Sequence, residues 1–239
     1  MSHIFTILRD LLFPQLCAAC GSRLGIGEKV LCVNCLRTFP KTFYWQQPLD
    51  NEMARLLWGK FPVERCAALY FYQPETPLAN AIHSLKYNRL REVGVMFGRL
   101  MAEEMQPYGF FDGIDAIVPM PLTKGRETDR GYNQAEAIAS GISEVVSLPI
   151  WTDVVERVLF RKSQTRVSLS ERFKNVENAF RLVDGQRLKD RHILIVDDIL
   201  TMGATVSSCA SETNGVEGLR ISVATIGFAQ QTQPLQERE

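Results

Sequence analysis

Strand-like apolar runs that alternate with amphipathic segments predict an α/β protein built on a parallel sheet, preceded by a small four-cysteine module. Three observations carry that expectation. Residues 193–196, Ile-Leu-Ile-Val, form an unbroken run of β-formers with no polar face, as a strand covered on both sides requires. Stretches of helical periodicity separate this run from other short apolar runs. Ahead of them lie two CxxC pairs, Cys17 with Cys20 and Cys32 with Cys35, eleven residues apart.

Taken in order, residues 3–12 place Ile4, Ile7, Leu8, Leu11 and Leu12 at helical spacing with one greasy face, and Pro14 ends that pattern. Gly25 and Gly27 suit a hairpin between the cysteine pairs. Residues 39–58 mix aromatics with Pro40 and Pro48, and read as a linker with a short helix at 51–58. A strand is expected at 66–72, helices at 77–86 and 92–105, a strand at 116–118, and a helix with small packing residues at 133–146. A weak strand at 180–182 precedes the Gly185 turn, a final strand runs over 219–228, and residues 230–239 read as a frayed polar tail. The natural division is a module at 1–45 and a main domain at 46–239.

With 46% hydrophobic and 23% charged residues, the composition is that of an ordinary globular chain and excludes a disordered or fibrous one. The formal net charge of zero removes any global pull toward nucleic acid or membrane, so contact with a polyanion needs a local patch. No run of about 18 apolar residues is present, and Arg9 and Asp10 interrupt the N-terminal stretch where a secretory leader would be apolar. The expected compartment is the cytoplasm.

Each CxxC pair can grip one ion with two thiolates, and together they complete a tetrahedral four-sulfur site with metal–sulfur distances near ~2.3 Å. Structural zinc on Cys17, Cys20, Cys32 and Cys35 is the first reading. An iron–sulfur cluster, a redox pair and disulfides stay open, the last disfavoured in a reducing compartment. A closed four-thiolate site serves folding or docking rather than catalysis. Cys66 and Cys209 have no partner nearby in sequence and read as buried free thiols.

After the apolar run come Asp197 and Asp198, then Thr201, Met202, Gly203, Ala204 and Thr205, then a segment able to start a helix. Ligands of open α/β sheets sit outside the carboxyl ends of the strands. Loop N–H groups and a helix start hold phosphate there, and the acids suit hydroxyls or a divalent cation. Two basic segments fit the same ligand. Residues 118–134 carry Lys124, Arg126 and Arg130 in a glycine-punctuated loop before a helix start, an arrangement suited to a diphosphate. Residues 157–180 hold Arg157, Arg161, Lys162, Arg166, Arg172 and Lys174, and suit a lid over an anion, with a solvated helix at 169–179 as the plainer reading. The cation and imidazole of residues 82–87 add a weak signal.

The order of four apolar residues, two acids and a Thr/Gly-rich loop resembles the 5-phosphoribosyl-1-pyrophosphate (PRPP) motif of type I phosphoribosyltransferases. With the paired CxxC, residues 82–87, Val-Pro-x-Pro and Arg-Gly-Tyr-Asn-Gln, nearly the whole chain resembles the ComF family of competence-associated proteins. The resemblance implies a parallel-sheet, type I phosphoribosyltransferase-like domain behind a zinc module. It implies that Asp197 and Asp198 bind ribose, and that Thr201, Met202, Gly203, Ala204 and Thr205 wrap the 5′-phosphate, with Met202 departing from the usual small polar residue. Residues 119–131 become the pyrophosphate loop and residues 161–172 the catalytic loop. Arg126, Arg130, Arg161 and Lys162 are the candidates to offset leaving-group charge alongside Mg²⁺. The implied setting is uptake of single-stranded DNA with a helicase partner. Two functions fit, phosphoribosyl transfer to an acceptor that no residue identifies, and non-catalytic binding of PRPP, nucleotide or single-stranded DNA. A homo-oligomer is compatible with either.

Overall fold

A four-stranded, wholly parallel sheet in the order β1-β6-β5-β2 organises the chain, and its strands are β1 (Val63–Phe71), β2 (Ala116–Pro119), β5 (His192–Leu200) and β6 (Arg220–Phe228). β3 (Val155–Arg157) and β4 (Phe180–Leu182) form a separate antiparallel pair. The helices are α1 (Val33–Thr38), α2 (Glu52–Leu57), α3 (Pro77–Tyr87), α4 (Arg91–Met105), α5 (Lys124–Arg130), α6 (Gln134–Val146), α7 (Gly185–Leu188) and α8 (Ala204–Ser211). The computed structural model describes residues 15–87, 90–158 and 179–230. The expected helices at 3–12 and 169–179, most of the basic segment 157–180, and nearly all of the tail lie outside the described residues.

Because strand side chains alternate, each strand feeds two cores. Leu194 and Val196 join Leu69, Ile117 and Ile226 under α3, α4 and α6. Ile193 and Ile195 join Cys66, Val118 and Val223 under α2 and α8. Burying an aliphatic side chain of this size stabilises the fold by about 1.5–3 kcal/mol, so the 193–196 run alone anchors the sheet from both sides. The first core is continuous with the cysteine module, since Cys17, Leu31, Cys35 and Phe39 pack into the cluster that contains Tyr70 and Phe97.

Local signals explain most element ends. Asn51 caps α2, its Oδ1 accepting from Ala54 N at 3.0 Å while its Nδ2 donates to Cys66 O at 2.9 Å. Asn133 caps α6 by accepting from Ala135 N at 3.0 Å. Three expectations change. Residues 124–130, expected as loop, form α5, because Thr123 caps its start and Gly131, at φ 81°, ends it in the left-handed conformation. β5 does not stop before the acids but continues to Leu200, held by pairing with β6 as far as Phe228. Arg157, expected at the start of a lid over 157–180, instead ends β3, which pairs with the weak strand expected at 180–182.

The small residues expected to pack helices closely sit where α4 crosses α6. A Cβ on Gly98 would lie 2.0 Å from Ile138 O, and one on Gly141 2.1 Å from Val95 O. Both are backbone contacts and cannot yield cheaply. Gly141→Ala should therefore cost about 1–3 kcal/mol in urea unfolding, whereas Gly125→Ala, with open space around its Cβ, should leave stability unchanged or higher.

Candidate functional site

The carboxyl edge of the sheet gathers an acidic pair and cations from several elements. Successive residues of β5 point to opposite faces, so Asp197 turns toward the α2 and α8 side and Asp198 toward the α3 side. Each acid therefore meets a different cation. Asp198 Oδ2 lies 2.8 Å from Lys86 Nζ at the end of α3, with only 13% of the Asp198 side chain exposed. Asp197 shares its surroundings with Arg157 of β3 and Cys209 of α8. Burial, with the charge of Asp198 second, pushes the Asp197 carboxyl up to about 7. Burial and the neighbouring Arg126 hold the Arg157 guanidinium below its ordinary value, and that group stacks 5.2 Å from the Phe180 ring centroid.

Thr201, Met202 and Gly203 form the loop, and Ala204 and Thr205 the first turn of α8. Gly203 is needed twice over. Its φ is 72°, and a Cβ there would lie 2.7 Å from Leu57 Cδ2. Lys60 Nζ donates to Met202 O at 2.9 Å, which places an ammonium against the loop. Met202, which departs from the usual small polar residue, is 51% exposed. Two buried donors at this edge, Gln134 Nε2 in the first residue of α6 and Ser207 Oγ in α8, have no partner among the described residues. Tyr132 ties the start of α6 to α3 by donating to Leu85 O.

Of the sequence-predicted residues, Asp197, Asp198 and the 201–205 loop lie together. Arg126 and Arg130, in the first and last turns of α5, act electrostatically on Arg157 at the same edge. Arg161 and Lys162 lie outside the described residues. Lys86 belonged to a segment whose signal was weak alone, Lys60 follows Gly59 with no motif to mark it, and Arg157 was read only as part of a lid. Cys66 and Cys209 are buried, and burial pushes both thiols up, Cys209 to about 12, so neither is a nucleophile at neutral pH.

The four other cysteines form a second centre. The sulfurs of Cys17, Cys20, Cys32 and Cys35 all lie within 4.8 Å of one another. Cys20 Sγ and Cys32 Sγ are 3.8 Å apart, which matches the ~3.8 Å edge of a tetrahedron with metal–sulfur bonds of ~2.3 Å. Backbone N–H groups already serve the sulfurs, Cys32 N donating to Cys17 Sγ at 3.3 Å and Cys35 N to Cys32 Sγ at 3.4 Å. The set fits one metal ion held entirely by thiolates. Asn80 Nδ2 of α3 donates to Ala19 O at 3.1 Å and fastens this centre to the sheet domain.

No family model matches the chain. DNA utilization protein YhgH of Escherichia coli K12 is 31% identical over 207 residues, which cover 82% of this chain and 89% of that protein. Competence protein F of Haemophilus influenzae is 33% identical over 212 residues, 87% of this chain and 83% of that protein. Competence protein ComFC of Bacillus subtilis matches 94 residues at 31% identity, 39% of this chain and 36% of that protein. A purine phosphoribosyltransferase from Pyrococcus horikoshii superposes with a TM-score of 0.34 at 16% identity, over 61% of this chain and 94% of that one.

The environment of Asp197 gives a stability prediction. Its folded carboxyl titrates above the unfolded one, so the folded state retains a proton that the unfolded state gives up, and stability falls as pH rises through that interval. Asp197→Asn keeps the Oδ1 that accepts from Asp198 N. It should raise stability by about 1–2 kcal/mol at pH 8, with the gain fading toward pH 4, as read by thermal melts across pH.

Proposed function

The chain belongs to the ComF family, the family of competence protein F, and on that premise we propose that it binds PRPP, or a closely related sugar phosphate, in the service of DNA uptake. One observation supports this reading most: an acidic pair and a braced, glycine-closed loop share one sheet edge with cations converging from α3, α5 and β3. In this reading Asp197 and Asp198 accept from the ribose hydroxyls, and the N–H groups of residues 201–205 hold the 5′-phosphate. Arg126, Arg130 and Arg157 face the diphosphate, and the orphaned Gln134 Nε2 supplies one more donor. Lys86, paired with Asp198 in the free protein, would exchange that ion pair for one with the ligand's phosphate as the sugar hydroxyls reach Asp198. Arg161 and Lys162, outside the described residues, remain candidates from the sequence to offset leaving-group charge. Mg²⁺, carried with the diphosphate, would offset charge on the leaving group.

The cysteine centre is proposed to hold structural zinc within a module spanning residues 1–45. All-thiolate ligation suits that ion and leaves no open position for chemistry. The relatives are named for DNA utilization and competence, which motivates a cytoplasmic role with single-stranded DNA and a helicase as partners. A second reading keeps the same cations for a nucleic-acid backbone and omits transfer chemistry. It is favoured by the several cations near this edge, which form the local patch that a chain of zero net charge needs for such contact.

Calorimetric titration of Mg²⁺–PRPP decides between them. Wild type should bind, and Asp197→Asn/Asp198→Asn should bind roughly a hundredfold more weakly, the loss of two charge-assisted hydrogen bonds at ~1.5 kcal/mol each. No heat with wild type, together with salt-sensitive binding of a single strand, would replace the first reading by the second. Elemental analysis of protein purified without chelator should find one zinc per chain, and recovery of iron instead would overturn the zinc assignment.

A further inference from the structure

The opposite edge of the sheet, where the strands begin, holds a buried imidazole that the candidate site does not use. His192 opens β5, the strand between β2 and β6, and has no exposed surface. Its Nε2 lies 2.8 Å from Oγ of the equally buried Ser222 of β6 and 3.8 Å from Glu64 Oε2 of β1. Its Nδ1 is buried with no hydrogen-bond partner among the described residues. Its backbone is fixed as well, since His192 N donates to Asp115 Oδ2 at 2.7 Å and His192 O accepts from Asp115 N at 2.7 Å.

Charged groups meet this ring from the neighbouring strand starts. Glu64 lies 3.5 Å from Arg220 of β6 and 3.8 Å from Arg65 of its own strand, and Asp115 lies 3.3 Å from Arg191. Arg65 also donates to the Phe110 and Asp112 carbonyls of the turn ahead of β2. Three guanidinium groups thus stand against two carboxylates before the imidazole is counted. A neutral ring fits that balance, because its single N–H can sit on Nε2, toward Ser222 and Glu64. A protonated ring adds a fourth cation and puts an N–H on Nδ1, where no described acceptor is in bonding geometry. Burial, aided by Arg220 and Arg65 and opposed by Glu64 and the Gly113 backbone, holds the imidazole below its ordinary value of 6.5.

We propose that His192 is a proton-operated latch at the amino edge of the sheet, tying the starts of β1, β5 and β6 together when neutral and releasing them when it takes up a proton. The latch is independent of the sugar-phosphate reading, because it uses none of that site's residues. The folded state resists a proton that the unfolded chain accepts, so this contribution is whole above pH 6.5 and is lost as pH falls below it. Asp197, toward the other end of the same strand, responds in the opposite sense.

Imidazole nitrogen NMR across pH, on the full-length, metal-loaded protein, tests this. His192 should carry its proton on Nε2 near neutral pH and take up the second below the midpoint of a free imidazole, ~6.5. Between about pH 7 and pH 5 the melting temperature of wild type should fall at least ~3 °C more than that of His192→Gln, which cannot titrate. Over the same interval the amides of Asp115 and Arg220 should lose protection against hydrogen exchange severalfold in wild type, after correction for the intrinsic rate, and keep it in the variant. Should His192→Gln fail to fold, Glu64→Gln provides the second route, since loss of the counter-charge should move the imidazole midpoint further down. A midpoint at or above that of a free imidazole, parallel pH dependence in wild type and His192→Gln, or an unmoved midpoint in Glu64→Gln would each overturn the proposal.

Discussion

The two-residue period of β5 is the constraint from which both the core and the site follow. Residues 193–196 in the middle of β5 are all apolar and covered on both faces, so Ile193 and Ile195 serve one core and Leu194 and Val196 the other. The same alternation continues past the buried length without a break in the pairing to β6. Adjacent acids are thereby sent to opposite faces, one to the Lys86 side and one to the Arg157 side. A turn immediately after Val196 would have released that alternation. The extension to Leu200 keeps the carboxylates at defined angles to each other.

Charge balance at this edge is local. Like charges are brought near each other twice, Asp197 beside Asp198 and Arg157 beside Arg126, and burial displaces the Asp197 carboxyl upward and the Arg157 guanidinium downward from their usual titration. Such an arrangement is uncomfortable for the fold by itself and favourable for a ligand that carries both hydroxyls and phosphates, since hydroxyls relieve the acids and phosphates the guanidinium groups. The cysteine centre has the opposite character. Its sulfurs are arranged for one small ion, and backbone donors already lie around them.

The parts of the fold that follow from one-dimensional patterns were legible in the sequence. The 193–196 run, the helices at 77–86, 92–105 and 133–146, and the small residues of the α4–α6 crossing all depend on spacing or side-chain size. Asn51 and Asn133 marked helix starts because their short amides cap backbone N–H groups. α5 was hidden because Gly125 and a high charge density suggest a loop, while the deciding features are the flanking Thr123 and Gly131. β4 was legible as the weak strand at 180–182, whereas the three-residue β3 exists through its pairing with β4, which no local window contains. Lys60 and Lys86 could not be placed either, because each meets its loop or acid across a long sequence separation, 142 residues for Lys60 and Met202.

Asn51 gives the loop a property beyond its shape. Its side chain links the Cys66 carbonyl of β1 to the start of α2, the far end of α2 presses Leu57 under Gly203, and Lys60 holds Met202 from the next turn. The loop is thus buttressed from behind by the sheet before any anion reaches it. On the proposed phosphate-binding role, a loop held this way would need little rearrangement on encounter, and discrimination among anions of similar size would fall to how long each one stays beside the converging cations.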